Sequence, residues 1–374
     1  MRNVVIAGYC RTPFTLAKKG ALTKVRPDDL AATAVKSLVE RTGVDGNEIE
    51  DLILGCAFPE GEQGLNMARL VVLMTGLPQS VGGVTVNRFC GSSMQSIHQA
   101  AGAIQMNAGE AFICAGVESM TRVSMGGFNP SPNPQLYQDM PAAYVGMGIT
   151  AENLAKKYDI PRADQETFAV DSHAKAAAAQ AAGKLADEIV AVGNVNQDGC
   201  IRPDTSAEGL AGLRLAFDEN GTVTAGTSSP LTDGAAATLV CSEDFAKANG
   251  LNILARIKSI AVAGCAPEIM GIGPVNATRK ALQRADLSIG DIDIIELNEA
   301  FAAQSMPCVQ DLDIDMAKVN LDGGAIALGH PLGATGARIT GKAAALLQRE
   351  GKQFALATQC IGGGQGIATI LEAV

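Results

Sequence analysis

The chain has 374 residues and a formal net charge of -10, and 47% of its residues are hydrophobic. At roughly 100–200 residues per domain, this length predicts two or three domains with cores of their own. The acidic balance argues against nucleic-acid binding, which requires a basic surface to neutralise phosphates. No apolar run approaches the roughly 20 residues of a membrane-spanning helix, and the first residues lack a signal-peptide pattern, so we expect a cytoplasmic protein.

The first third of the chain alternates apolar strands with helices. Strands are predicted at Val4–Gly8, Ile49–Gly55, Val84–Asn87 and Ala111–Gly116, and helices at Pro27–Glu40 and Ser92–Asn107. Strands that are uniformly apolar and alternate with helices predict a parallel sheet covered on both faces.

The composition changes from about residue 119. Four prolines between positions 130 and 141 predict a loop. Ala-rich helices are predicted next, at Thr150–Tyr158 and Arg162–Ala182, followed by Gly- and Asp-rich loops. The sheet resumes at Ala235–Ser242. We therefore expect a loop domain at about 119–229, inserted into an N-terminal half that spans 1–246.

The last third of the chain repeats the pattern of the first. A strand at Ile292–Asn298, a second strand at Lys318–Gly324 that ends in a glycine loop, a helix at Ala337–Gln348 and a strand at Gln353–Thr358 follow in the same order. Such a repeat predicts two homologous α/β halves, the second at 251–374. A ligand site is expected where strand ends and helix N-termini of the two halves converge.

Nine cysteines and three histidines are spread along the chain. The cysteine count is odd and no CxxC pair occurs, which fits a reducing compartment and neither a disulfide framework nor a zinc site. The histidines are not clustered, so we expect no metal.

Cys90 and His330 are candidates for nucleophilic chemistry. Cys90 lies between a strand and a helix in VNRFCGSSMQ, and the positive end of a helix dipole lowers a thiol pKa. The position equally fits a packing cysteine beside a tight turn. His330 lies in a glycine-dense loop, which we expect to expose its imidazole as a base for a cysteine or as a helix cap. His98 and His173 lie inside predicted helices.

Polar or reactive residues also follow two apolar strands of the last third. Cys360 opens CIGGGQG, whose glycines leave backbone N–H groups free to point at a ligand; it is either an acid/base thiol or a structural cysteine. Asn298 and Glu299 open NEAFAAQ and either orient a water or an oxyanion, or cap a helix.

Taken together, these motifs resemble those of the thiolase family over essentially the whole chain. VNRFCGSSMQ, NEAFAAQ, GGAIALGHPLGATGAR and CIGGGQG carry the resemblance, and GMGITAE and TAGTSSPLTDGAA support it. The resemblance implies a thiolase-like α/β fold of two homologous five-layered α/β/α/β/α halves with an inserted loop domain. It also implies a ping-pong acyltransferase that uses coenzyme A as a substrate and needs no cofactor.

The resemblance assigns roles to five residues. Cys90 is the nucleophile that becomes acylated, His330 is its base, and Cys360 exchanges the proton at the α-carbon of acetyl-CoA. His330 and a water held by Asn298 stabilise the thioester enolate. The N–H groups of Cys90 and Gly362 form a second oxyanion hole.

The resemblance also places CoA on the inserted loop domain. It assigns Arg202 to the adenine nucleotide, Phe217 to pantetheine and Ser229 to a pantetheine amide. Met147 is implied to line the acyl end of the site.

Two positions depart from the pattern of short-chain biosynthetic thiolases. Gly146 stands where they have a histidine, which predicts a larger acyl pocket, and Gly209 stands where they have a serine. The CGSSMQ segment is similar to thiolase subunits of bacterial fatty-acid oxidation complexes. The resemblance therefore implies a degradative thiolase of fatty-acid β-oxidation acting on 3-ketoacyl-CoA, with a biosynthetic acetoacetyl-CoA thiolase as the alternative.

The resemblance further implies a homodimer or homotetramer, and the apolar edge at Val84–Asn87 favours self-association. An enoyl-CoA hydratase/3-hydroxyacyl-CoA dehydrogenase subunit is an implied further partner. Two other classes remain. A ketoacyl-ACP synthase shares the fold but has two histidines beside its cysteine, and a non-catalytic acyl-CoA-binding relative would lack one of the catalytic residues.

Overall fold

One sheet runs through both halves of the chain. The structure, a computed structural model, describes residues 2–374. Its strands are β1 (Val4–Arg11), β2 (Thr15–Leu16), β3 (Ile49–Gly55), β4 (Gly82–Val86), β5 (Ala111–Ser119), β6 (Thr232–Ser242), β7 (Ala255–Gly264), β8 (Ile294–Leu297), β9 (Phe354–Ile361) and β10 (Gln365–Glu372). Their order across the sheet is β4-β3-β5-β6-β1-β7-β10-β9-β8, with β2 paired to β6.

The strand directions are mixed. β3 pairs in parallel with β4 and β5, and β8 with β9, whereas every pairing from β5 through the centre to β9 is antiparallel. The prediction of a parallel sheet is therefore wrong for the centre. β9 and β10 are joined by the tight turn at 362–364, which only antiparallel neighbours permit. β1 and β7 pair only through Val5 with Arg256 and Ile6 with Ala255, so the two half-sheets meet at a short seam.

Twelve helices of the described residues surround the sheet in layers. They are α1 (Pro27–Thr42), α2 (Met67–Thr75), α3 (Ser92–Gln105), α4 (Pro134–Asp139), α5 (Met147–Lys157), α6 (Arg162–Ala181), α7 (Ala207–Ala211), α8 (Glu243–Ala248), α9 (Gly273–Ala285), α10 (Ala302–Leu312), α11 (Ala325–Leu328) and α12 (Leu332–Glu350). The central layer is formed by α3 and α12, which pack on each other, and α12 contacts strands of both half-sheets. Because α1 and α2 cover one outer face and α9 and α10 the other, the two halves together build five layers.

The predicted helices are all present with shifted ends, and so are all but one of the predicted strands. The strand predicted at Lys318–Gly324 is wrong, because the segment makes only a parallel bridge between Val319 and Ile295. Asn320 follows with φ 47° and ends the extended run. Its side-chain amide binds the backbone N–H and C=O of Leu297 at 3.0 and 2.9 Å, so a side chain replaces the strand's hydrogen bonds.

The segment between β5 and β6 leaves the sheet and forms α4 to α7. α6 packs on α7, α10 and α11, which seats this excursion against the C-terminal half. No helix within residues 2–374 is both long and apolar enough to cross a membrane.

Glycines line the contact between the central helices and their neighbours. A methyl group on Gly116 would lie 2.1 Å from the carbonyl oxygen of Gly333, and one on Gly336 would lie 2.2 Å from the nitrogen of Met94. These distances are far below van der Waals contact. The start of α12 therefore approaches β5 and α3 as closely as backbone allows.

Candidate active site

Cys90 lies at the turn between β4 and α3. The preceding residue, Phe89, has φ 42°, a left-handed conformation that costs a bulky side chain about 1–2 kcal/mol. Polar side chains on both sides hold the turn: Asn87 Oδ1 accepts from the Phe89 N–H at 2.8 Å, and Ser92 Oγ donates to the Phe89 carbonyl at 2.6 Å. The predicted position of Cys90 between strand and helix is thus found, on a strained backbone.

The Cys90 thiol is buried, with 6% of the residue exposed. Burial raises its pKa to about 11, although the N–H groups of Gly362 and of Cys90 itself hydrogen-bond to the sulfur and act in the opposite direction. The net shift is opposite to the one expected from the helix N-terminus, because loss of solvent outweighs the two N–H groups. Cys90 therefore rests as a thiol, and a base is needed to make the nucleophile.

His330 supplies such a base directly before α12. It is 4% exposed, so the expected exposed imidazole is wrong as well. Its Nδ1 lies 2.6 Å from Thr335 Oγ1, and that hydroxyl donates to the Pro331 carbonyl at 3.0 Å. Nδ1 accordingly carries the ring proton, which leaves the lone pair on Nε2. Burial, and then the charge of Arg338, lower the pKa of His330 to about 3, so the resting ring is neutral.

Asn298 lies beside the free nitrogen of this imidazole. It directly follows β8, and its Nδ2 is 3.3 Å from His330 Nε2. Its Oδ1 is buried without a hydrogen-bond partner in the described part of the chain. A buried amide with an unmet acceptor, next to a neutral imidazole, is suited to hold a water that donates to Oδ1.

Cys360 lies on β9 and is fully buried. Burial raises its pKa well above the usual range, and the charge of Cys90 raises it further. The residue before it, Gln359, bonds the Cys90 carbonyl, so the two thiols lie in one site. The glycine turn follows directly, with Gly363 at φ 80° and Gly364 at φ 85°. Because glycine adopts these angles without strain, the turn directs the Gly362 N–H to the Cys90 sulfur.

The space in front of Gly362 is lined by apolar side chains. A methyl group on Gly362 would lie 3.4 Å from Met147 Sδ and 3.6 Å from the Phe89 ring. Phe89 pairs with Phe58 at a ring distance of 6.0 Å. Next to Met147, a methyl group on Gly146 would have no atom within 4 Å. Met147 and the two phenylalanine rings therefore form an apolar wall beside Gly362, and Gly146 next to Met147 is exposed to solvent.

The residues assigned to CoA lie on the inserted segment. Phe217 is 43% exposed and packs edge-on against Phe301 at 5.7 Å. Ser229 is anchored through its N–H to the Ala300 carbonyl at 3.0 Å, so both residues lie over the chain that follows Asn298. Arg202 is exposed at the surface of the segment, away from these contacts.

Sequence reasoning did not identify Glu118, a fully buried carboxylate near the end of β5. It accepts hydrogen bonds from the backbone N–H groups of Ala57 at 2.8 Å, Phe58 at 3.2 Å and Gly333 at 2.9 Å. It thereby ties the loop after β3 to the first turn of α12. The available signal was a charged residue in an otherwise apolar strand.

Glu299 has a similar anchoring position. Its carboxylate accepts from Ser172 Oγ at 2.6 Å, Asn320 Nδ2 at 2.7 Å and the Ile326 N–H at 3.2 Å. These bonds fasten α6 and α11 to the end of β8. Of the two residues in this pair, Asn298 faces the site and Glu299 holds the surrounding structure.

Comparison with known proteins identifies the family. The thiolase N-terminal domain matches residues 4–244, and the thiolase C-terminal domain matches residues 251–373. The chain is 51% identical to 3-ketoacyl-CoA thiolase of Aeromonas hydrophila over 388 aligned residues, and 48% identical to that of Bacillus subtilis over 389, with 100% of each chain covered.

A solved structure agrees with these relatives. The chain is similar to human mitochondrial 3-ketoacyl-CoA thiolase in complex with CoA, with a TM-score of 0.92 and 38% identity, over 100% of this chain and 98% of that one. The chain belongs to the thiolase family.

Proposed function

We propose that this chain is a degradative 3-ketoacyl-CoA thiolase, which passes an acyl group from 3-ketoacyl-CoA to CoA and releases acetyl-CoA. The observation that carries the proposal is the meeting of two buried thiols, Cys90 and Cys360, at the Gly362 N–H, which bonds the Cys90 sulfur. The neutral imidazole of His330 lies two residues before Leu332, which packs in one cluster with Cys90. The full-length relatives that carry the name 3-ketoacyl-CoA thiolase support the substrate class.

In the first half-reaction, His330 Nε2 takes the proton of Cys90 and the thiolate attacks the 3-keto carbon. The N–H groups of Cys90 and Gly362 hold the oxyanion that forms. The bond between C2 and C3 then breaks, and the electron pair leaves as the enolate of acetyl-CoA. Protonated His330 and a water on Asn298 stabilise the enolate oxygen, and the Cys360 thiol delivers the proton to C2.

In the second half-reaction, the Cys360 thiolate takes the proton of the incoming CoA thiol. The CoA sulfur attacks the acyl group on Cys90, and the same two N–H groups hold the second oxyanion. Cys90 leaves as a thiolate and recovers its proton from His330. The product is an acyl-CoA two carbons shorter, and because only protons and electron pairs move, the proposal needs no metal or redox cofactor.

The inserted segment is proposed to hold CoA. In this arrangement Phe217 lies along pantetheine, Ser229 binds one of its amides and Arg202 meets the adenine nucleotide. The exposure of Phe217 and Arg202 supports this role, because the CoA chain must reach the site from solvent.

The alternative is an acetoacetyl-CoA thiolase. The degradative function is preferred because Gly146 carries no side chain where short-chain biosynthetic thiolases have a histidine. Steady-state kcat/KM on 3-ketoacyl-CoAs of four to twelve carbons tests the choice. We expect higher values at six carbons or longer, and a preference for acetoacetyl-CoA would overturn the degradative assignment. A non-catalytic acyl-CoA-binding protein would bind these compounds without forming acyl-Cys90, which peptide mass mapping detects.

The proposal extends to organisation and cellular role. Two halves, 1–246 and 251–374, with an insert at about 119–229, would form a homodimer or homotetramer. The exposed apolar side chains near β4, among them Leu73 and Val84, support self-association. A role in fatty-acid β-oxidation in the cytoplasm, with an enoyl-CoA hydratase/3-hydroxyacyl-CoA dehydrogenase subunit as partner, follows the degradative function. Light scattering of the purified chain with and without that subunit tests the assembly.

A further inference from the structure

Gln359 connects the two halves at the nucleophile. It lies on β9 directly before Cys360 and is fully buried. Its Nε2 donates a hydrogen bond to the backbone carbonyl of Cys90, which belongs to the other half. Strand alternation points Gln359 towards the central helices, with Ile361, and Cys360 to the opposite face with Phe301. Strand β9 thus carries the Cys360 thiol on one face, and on its other face Gln359 binds the backbone of Cys90.

This contact bears on the oxyanion hole of the proposed reaction. One of its N–H groups comes from Cys90 and the other from Gly362, on separate halves of the chain. Gln359 precedes Gly362 by three residues and bonds the carbonyl of Cys90 itself. The bond therefore sets the distance between the two donors, and a shift of about 1 Å at such a site can lower a rate roughly a hundredfold.

The oxygen of the Gln359 amide lies on the same face of the sheet as another buried polar group with unpaired atoms. Gln359 Oε1 is buried without a partner among residues 2–374, and so are Nε and Nη2 of Arg338. Arg338 is held on α12 by an ion pair with Glu296 at 2.8 Å. Because Glu296 pairs with Ala357 on β9, alternation places Gln359 on the same sheet face, one step further along. Unpaired donors and an acceptor within one buried layer indicate a bridging water.

We propose that Gln359 is a positioning residue for Cys90, which fixes the nucleophile against the Gly362 N–H and is itself braced through a buried water by the Arg338–Glu296 pair. The inference rests on the proposed function, since it concerns the acylation of Cys90. Gln359 acts through the Cys90 backbone and touches no reacting atom.

The test compares two variants at this position. Gln359→Leu removes the amide, and Gln359→Glu keeps its size and an acceptor for Arg338 while losing the donor to the Cys90 carbonyl. We expect both to slow single-turnover acylation of Cys90 by about tenfold to a hundredfold per active site, with little change in KM for CoA. Rapid quenching and mass spectrometry give the rate, and the burst amplitude gives the fraction of active sites.

Gln165→Leu is the matched control. Gln165 is fully buried on α6, donates to Thr222 Oγ1 at 2.9 Å and has an unpaired Oε1 in the described structure, but lies outside the site. It should lose stability like the Gln359 variants while keeping the wild-type acylation rate. If the Gln359 variants acylate at the wild-type rate per active site, the positioning role is wrong and the proposed function stands. If wild-type Cys90 is not acylated, the proposed function itself fails.

A crystal structure of the wild-type protein tests the same inference without any variant. We expect an ordered water within hydrogen-bond distance of Gln359 Oε1 and Arg338 Nη2, and the Gln359 amide on the Cys90 carbonyl. A side chain turned away from that carbonyl would overturn the positioning role, whatever the folding of the variants.

Discussion

The two halves of the molecule use one strand–turn–helix block in different ways. In the N-terminal half, β4 runs directly into the strained turn at Phe89 and then α3, so backbone conformation places Cys90. In the C-terminal half, the matching segment keeps a single bridge at Val319, and α11 is added before His330 and α12. There a chain of hydrogen bonds through Thr335 orients the imidazole. The proposed nucleophile is thus placed by a strained turn, and the proposed base is oriented by a hydrogen bond to its ring.

The outer edges of the two half-sheets also differ, because one is partly covered and the other is not. Beside β8 the edge is partly covered by the Val319 bridge and the side chain of Asn320. β4 ends the sheet on the other side, and within residues 2–374 no strand pairs with its free edge. The half that carries Cys90 is therefore the one whose sheet edge is left open to another chain.

The largest effect is expected from removing one thiol of each half. Cys90→Ala should lower kcat by about 10⁴-fold or more and abolish the acyl-enzyme seen by mass spectrometry. Cys360→Ala should retain partial acylation of Cys90 but lose exchange of the acetyl-CoA methyl protons, which NMR in D₂O follows. Cys10→Ala is the control, because Cys10 lies in the core of the first half and its thiol contacts the Ala34 carbonyl; it should keep wild-type activity. Normal exchange in Cys360→Ala would show that this thiol is structural.

Substrate length should respond to Gly146, which lies beside the nucleophile's half of the site. Gly146→His fills the open space next to Met147 and should shift kcat/KM towards acetoacetyl-CoA by roughly tenfold, the value of about two buried methylene groups. Gly209→Ser is the control, since that position lies on α7 and we expect no change in length preference. If Gly146→His left the chain-length preference unchanged, the acyl chain would not lie beside Gly146.

A third prediction compares the buried histidines of the central layer. His98 on α3 contacts Thr369 Oγ1 at 2.9 Å, and burial lowers its pKa to about 3, as for His330. Below pH 6.5 the unfolded chain protonates these rings, whereas the folded protein does so only near pH 3. Each therefore lowers the unfolding free energy by about 1.4 kcal/mol per pH unit through that window and has no effect above pH 6.5.

His98→Gln should accordingly flatten the fall of Tm between pH 6.5 and 4.5 and leave kcat unchanged. His330→Gln should flatten the fall equally and abolish turnover. Differential scanning fluorimetry across this pH range measures both. A His98→Gln profile as steep as the wild type would contradict a neutral, buried His98.

The smallest effect is a twofold change in mass. Light scattering at micromolar concentration should give at least twice the 38.4 kDa of one chain. Val84→Lys, on the free edge of β4, should lower the mass towards one chain because a charge blocks strand pairing. Leu136→Lys, an exposed apolar position on α4, is the control and should remain associated. A monomeric wild-type protein would show that the free edge of β4 does not lead to self-association.

The sequence predicted the helices and strands better than the burial and pKa of the side chains in the candidate site. Apolar runs and helical periodicity located nearly all the helices and strands of the first third, because these patterns are local. The antiparallel strands β7 and β10 were not predicted, because their partner strands lie in the other half or across a glycine turn. The positions of Cys90 and His330 were found through local motifs. Their burial and pKa were not, because solvent is excluded only when both halves pack around them.

The close approach at Gly116, Gly333 and Gly336 has a consequence for mutational tolerance. Each position admits hydrogen and nothing larger, whatever the chemistry of the replacement. In a saturation library selected for activity, these glycines should be as depleted of substitutions as Cys90, although we assign none of them a chemical role. Intolerance alone will therefore not separate the chemistry of this protein from its packing, and a double readout of abundance and turnover will be needed to tell them apart.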